Sequence, residues 1–490
     1  MLNNLTNYPD LIRLKAIVDV PQDTDLITLG VRNPNYDGNY RPALNTYRDF
    51  ADSILAQVPT PVPGLTDIKT AYTLYVDLVY GNDSTAQLFS FAKPYKTIAA
   101  ATAAAVALGS SIPILIYLRP GQYNEDLVFR NNIYFYAEKG VVFYTSGARD
   151  SFSDQQATSG LFGYAEFRAN ANIILAYGCN LTLEFDKVDT TALFGFYQIT
   201  NGNLAYNPNI NIYCNSLKTN ATNGYGCTTR GKVNLTLNVK EFIRSPYNVF
   251  DVRGQAGTPY TGNLTINCPK IILEDGGVYG NNAAFKACYT TSSAAATSIV
   301  TINGDLYNEV SSTTFIGSLS ACISDWSGAT NYILRFNGNI YAGTQRAILN
   351  NTGSRQFIEG NISTTSIAAT VNAGNTQIKN STIVRGDGVD TNSIIGVAAA
   401  NLYLNDCTIY NGDIAGGFNS ISLSSASSRV YANNVFGQHA TAADFFMSGV
   451  AGSSAGMINV QATRANNSIT SLYTATGFTQ EANLIVPQYI

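Results

Sequence analysis

Glu184, Asp186 and Asp189 stand within six positions of one another, and carboxyl groups so placed raise the question of glycoside hydrolysis. That reaction needs two carboxyl groups, about 5 Å apart for retention or roughly 6.5 to 9.5 Å apart for inversion. On one regular strand Glu184 and Asp186 would point to the same side. Glu184, however, occupies a turn position of the repeat described below, which leaves that geometry open. Glu274 with Asp275 is a second acidic pair. A lyase would need a basic residue with acids gathering Ca2+ beside it. Arg230, Lys240, Arg244 and Arg253 are present but form no motif with carboxylates. His439, the sole imidazole, follows Gln438 and reads as structural, and Trp326 beside Asp325, which could stack on a sugar, reads rather as an anchor in a loop or subunit contact. Solvated turn carboxylates are commoner than catalytic ones. No catalytic residue is therefore assigned, and Glu184, Asp186 and Asp189 remain the candidates.

Composition narrows the field further. Only 13% of the 490 residues are charged, 29 Lys and Arg stand against 33 Asp and Glu, and no basic block occurs, so nucleic acid is not an expected partner. The 31 Tyr and 23 Phe supply large, partly polar contact area suited to glycans or neighbouring subunits. The seven cysteines form an odd set without Cys-x-x-Cys, which suggests neither a disulfide framework nor a zinc site. No phosphate-cradling glycine loop appears, and neither cofactor nor metal is expected. No secretory signal is visible at the N-terminus, and no stretch reaches the ~18 apolar residues of a membrane helix, so synthesis in a cytosol and no membrane insertion are expected.

The elements that must position these groups fall into regions. Residues 1–57 read as a small α+β module, with a strand over 25–31, a turn-rich stretch over 33–39, and Thr46-x-x-Asp49 as a capping box opening a short helix. Such a module is marginal alone and suits attachment to a partner. Residues 58–71, with Pro59, Pro61 and Pro63, read as a stiff linker. From 72 onward come a strand to Val79, a polar turn over 81–85, Lys93-Pro-Tyr-Lys-Thr-Ile98, an Ala-rich helix ended by Gly109, and a strand and turn over 113–123.

Together with Tyr117-Leu-Arg-Pro-Gly-Gln-Tyr-Asn-Glu125 and Gly140-Val-Val-Phe143, this order resembles the start of the pectate-lyase-like right-handed β-helices found in phage tailspikes. The resemblance implies a helix plugging the first coil, a homotrimer, and a place on a virion.

A repeat supports the same fold independently. Two apolar residues flanking one other recur at Leu181/Leu183, Ile210/Ile212, Leu235/Leu237, Leu264/Ile266, Val300/Ile302, Leu334/Phe336 and Leu402/Leu404, with weaker copies ending at Ile358, Ile378, Tyr431 and Ile458. The second members recur about every 27 residues without intervening helices, the signature of a β-solenoid. Asn follows the second member at 238, 267, 303, 337, 405 and 459. It is expected to take the left-handed conformation at a bend and to bond the same amide in the next coil. Cys214, Val239 and Cys268, two positions past their anchors, suggest a buried column of small side chains, and 279–298 reads as a projecting loop.

The fold expected is all-β: a right-handed parallel β-helix over 72–464, an N-terminal α+β module, and a segment over 465–490 that caps the last coil or packs between subunits. The function expected is a structural virion protein of a phage, a tail fibre, tailspike or head or neck appendage. It would sit at the virion surface, bind other virion proteins through the N-terminal module, and meet host cell-surface polysaccharide. The alternative is a tailspike depolymerase, a hydrolase or lyase cleaving host capsule or lipopolysaccharide.

Overall fold

The computed structural model describes residues 26–31, 41–46 and most of 72–481, with interruptions of which the longest are 200–208, 254–261, 275–282, 290–297 and 310–320. The chain divides into two compact units, Met1–Tyr117 and Leu118–Ile490. The proposed short helix after Thr46 and the proline-rich linker lie outside the described residues.

In the first unit Leu26–Val31 is the expected strand, and it pairs antiparallel with Arg41–Thr46, a strand the turn-rich composition had hidden. Tyr72–Val76 is also a strand, shorter than its apolar run suggested. The polar turn that follows has a purpose: Asp83 accepts from the Lys96 and Thr97 amides at 2.7 and 3.1 Å and from the Thr97 hydroxyl at 2.9 Å. Thr97 in turn caps the Ala-rich helix α1 (Ile98–Ala107) by accepting from the Ala100 amide, which satisfies one of the free donors at a helix start. Gly109, with φ of 89°, ends it as expected. Ile98, Ala101 and Ala105 form the buried face of α1, which packs on the strand Tyr72–Val76.

The second unit is a parallel β-helix, for which parallel crossovers favour the right hand. One long sheet runs through strands such as Asn180–Thr190, Asn209–Thr219, Asn263–Leu273, Asn375–Arg385 and Asn401–Asn411. A second, of 12 parallel strands from Ile173–Ala176 to Tyr473–Thr474, alternates with it along the chain. Most repeats thus supply one long and one short strand, and in some, such as Tyr332–Asn337 with Ile340–Gly343 and Arg355–Glu359 with Ile362–Thr364, the long strand is split in two at the corner. The stretch read as a projecting loop contains one of the short ones, Ala283–Tyr289, which pairs with Asn248–Arg253. It lacks the alternating anchors of the long strands, and a pattern built on them alone passes over it.

The long strands turn a corner in mid-course. Asn375–Lys379 pairs with Arg355–Glu359, whereas Ile383–Arg385 pairs with the separate strand Ile362–Thr364. The corner residue between is Asn380, at φ of 51°, and Asp406, Asn434 and Asn459 repeat that left-handed conformation in successive coils. Earlier corners use Gly304, Gly338 and Gly360, where a Cβ would collide with the carbonyl oxygen of the preceding coil.

The anchors align as the repeat requires. Leu183, Ile212, Leu237, Ile266, Ile302, Phe336, Ile358, Ile378 and Leu404 lie in unbroken register, all buried on one interior column. The last two anchors are corrected: Leu404 continues into Ala432 and Met457, not Tyr431 and Ile458. A slip of one residue reverses the face of a strand, and Ile458 is accordingly 44% exposed. The larger side chain of Tyr431 had outweighed Ala432, and β-branched Ile458, the better strand former, had outweighed Met457. Cys214, Val239 and Cys268 are buried as expected. Strands Tyr473–Thr474 and Thr479–Glu481 then extend both sheets beyond residue 464, so part of the C-terminal segment continues the coil.

Candidate functional site

Alternation along Asn180–Thr190 sends Leu181, Leu183 and Phe185 inward and leaves Thr182, Glu184 and Asp186 outward. Residues 180–183 pair with one strand above, and 187–190 with another. The three candidate acids therefore straddle a corner: Glu184 before it, Asp186 at it, and Asp189 beyond it.

The two aspartates have asparagine partners in the next coil. Asp186 accepts from Nδ2 of Asn215 at 2.5 Å, and Asp189 accepts from Nδ2 of Asn220 at 2.8 Å. Glu184 aligns with Tyr213, Asn238, Asn267, Asn303 and Asn337, which places it at the head of an asparagine column. Partial burial raises its pKa, while the Lys240 ammonium draws it back down. Burial likewise pushes the nearby Tyr136 phenol up to about 12, with Tyr164, Glu138 and Glu184 adding to the effect. A carboxyl that holds its proton longer than usual has one attribute of a general acid. Asp186 and Asp189 have the attributes of structural acceptors.

The column below Glu184 is a hydrogen-bonded ladder. Asn267 donates to Asn238 at 2.8 Å, Asn303 to Asn267 at 2.7 Å, and Asn337 to Asn303 at 2.8 Å, each from Nδ2 to Oδ1. The stack is as expected, but the conformation is not. Of the six asparagines named, Asn459 alone is left-handed; after Asn303, Asn337 and Asn405 the positive φ falls on the following Gly304, Gly338 and Asp406. A second ladder, which the repeat analysis passed over, joins Asn180, Asn209 and Asn234 at the strand starts, at 3.1 and 3.0 Å. Its signal was an Asn directly before each first apolar anchor.

The remaining candidates do not converge. Glu274 pairs with Nε of Arg244 at 2.6 Å, and Arg244 also binds Glu309, so three successive coils share one ion-paired cluster. Lys240 and Arg244 lie on Asn234–Ser245, whereas Arg230 and Arg253 lie in register on the other sheet. His439 ends the strand Arg429–His439, between Asn411 and Arg464. Asp275 and Trp326 lie outside the described residues. Among the described residues no three His, Cys, Asp or Glu side chains gather as a metal site, and no helix is long and apolar enough to cross a membrane. Cys214, Cys227, Cys268, Cys322 and Cys407 are buried free thiols.

One further surface was not foreseen. The outward column Arg335, Phe357, Gln377, Tyr403 and Tyr431 runs through five successive coils, and the rings of Tyr403 and Tyr431 stack at 4.9 Å. A shallow depression there is lined by Arg355, Gln356, Phe357, Asn375, Gln377 and Tyr403.

No family model matches the chain, and no curated protein does. Among solved structures, the A-module of the Azotobacter vinelandii mannuronan C-5 epimerase AlgE6 is similar, at 14% identity and a TM-score of 0.34, over 79% of this chain and 95% of that one. The fold assignment rests on the strand register given above.

Proposed function

We propose that this chain is a structural virion protein of a phage, a tail fibre, tailspike or head or neck appendage. In this reading the N-terminal module docks on the particle and the β-helix displays a surface to host polysaccharide. The observation that carries the non-enzymatic reading is the use made of the acids: Asp186 and Asp189 are acceptors for Asn215 and Asn220, and Glu274 is ion-paired with Arg244. Residues held in coil-to-coil bonds brace a rod. The phage assignment and the homotrimer come from the likeness of the opening motif to tailspikes. Imaging intact particles with the protein labelled tests the assignment, and a label absent from every particle would overturn it.

A second reading, a depolymerase, is favoured by the raised pKa of Glu184. Incubation of the purified protein with host capsule or lipopolysaccharide separates the two. The structural reading expects chain length to stay unchanged. Shortened products that disappear in Glu184→Ala would establish the enzyme instead.

A further inference from the structure

We infer that the column from Arg335 to Tyr431, with Arg355 and Lys379 beside it, is a binding site for an acidic saccharide. This rests on the glycan-binding part of the function proposed above and gives it a place and a chemical class.

The site is built on the outer face of the long sheet. Arg335 and Phe357 are neighbours in adjacent coils, Gln377 and Tyr403 follow in register, and Arg355 and Lys379 stand two residues along their strands from Phe357 and Gln377. Coils repeat about every 4.8 Å, so the row from Arg335 to Tyr431 extends for roughly 19 Å, enough to follow an oligosaccharide rather than one sugar. Three observations converge on it. Arg335, Arg355 and Lys379 are exposed, and among the described residues their side chains have no acid or hydrogen-bond partner. Phe357 and Tyr431 keep part of their rings in solvent on a surface otherwise rich in Asn, Thr and Ser. Gln377, which lines the depression, is half-buried and turns its amide outward between Phe357 and Tyr403 in the register of the row.

An acidic saccharide answers all three. Its carboxylates accept the paired donors of a guanidinium, its apolar ring faces lie on aromatic rings, and its hydroxyls both donate to and accept from a primary amide such as that of Gln377. A nucleic acid would find three cations in a chain of net charge −4, with Glu359 set in register between Asn337 and Lys379. The balance of charge with amides favours the sugar.

The test is titration calorimetry of the full chain with oligogalacturonate, with the same oligosaccharide after carboxyl reduction, and with single-stranded DNA of equal charge. Binding of the acidic form is expected to exceed that of the reduced form by at least about tenfold and to weaken with salt. Arg335→Gln and Arg355→Gln lie on exposed side chains, so unchanged melting is expected, with about tenfold lost for each. Equal binding of the reduced form, equal binding of DNA, or undiminished binding by the double variant overturns the site. Host polysaccharide distinguishes this failure from that of the broader reading. If wild type and double variant bind it alike, the site is wrong and the glycan-binding reading stands. If oligogalacturonate binds but no host polysaccharide does, the site stands and that reading falls.

Discussion

Asn303 donates to the side-chain oxygen of Asn267 at 2.7 Å although 36 positions of sequence separate them, and Asn303 accepts in turn from Asn337 at 2.8 Å. A rung in the middle of the ladder therefore makes two bonds, and removing it strands a donor on one side and an acceptor on the other. Asn303→Ala is expected to cost about 2 kcal/mol of unfolding free energy, read by denaturant titration. No loss would show that water replaces the ladder at no cost.

Gly338 offers a sharper contrast. At φ of 155° its missing Cβ lies where the Gly304 carbonyl oxygen sits, so Gly338→Ala must shift one coil against the next. Backbone strain alone predicts a loss of about 1–3 kcal/mol, with the collision adding to it. At Gly396 a Cβ would meet nothing within 4 Å, so Gly396→Ala should be nearly neutral in the same assay. Equal effects at the two positions would overturn the corner argument.

Burial makes the thiols inert. It pushes the pKa of Cys322 up to about 12 and those of Cys268 and Cys407 up to about 11, and it raises Cys214 as well. Since the thiolate is the reactive form, these four cysteines should resist maleimide at pH 8 in the folded protein and react fully in denaturant. Peptide mass spectrometry after labelling reads the result; rapid native modification of Cys322 would contradict its place in the core.

Glu184 gives a pH dependence of defined sign. Its folded-state pKa is raised by burial, so between the unfolded and folded values the native state binds more protons, and stability falls as pH rises through that window. Glu184→Gln removes the penalty of ionisation. The variant should melt higher than wild type at pH 7, with the gain vanishing on acidification below the ordinary carboxylate range. An advantage that persists at low pH would assign the effect to packing instead.

Much of this architecture was legible in the chain. Nine of the anchors, from Leu183 to Leu404, were readable because an interior column admits only apolar side chains at its rungs, and the requirement recurs with each coil. The asparagine stack was legible for the same reason. The helix Ile98–Ala107 announced itself by its alanines and Gly109. Where size competed with position, at Tyr431 against Ala432, a local pattern chose the bulkier residue and slipped the register by one.

What the sequence by itself determined was a solenoid, since periodic burial along one chain has few other solutions. What only the tertiary structure decided was the company each surface residue keeps. Asp186 with Asn215, Arg244 with Glu309, and Arg335 with Phe357 are neighbours because coils of unequal length, about 20 to 36 residues, stack at one fixed spacing. Separation along the chain carries no record of that spacing. The backbone bonds between coils supply it.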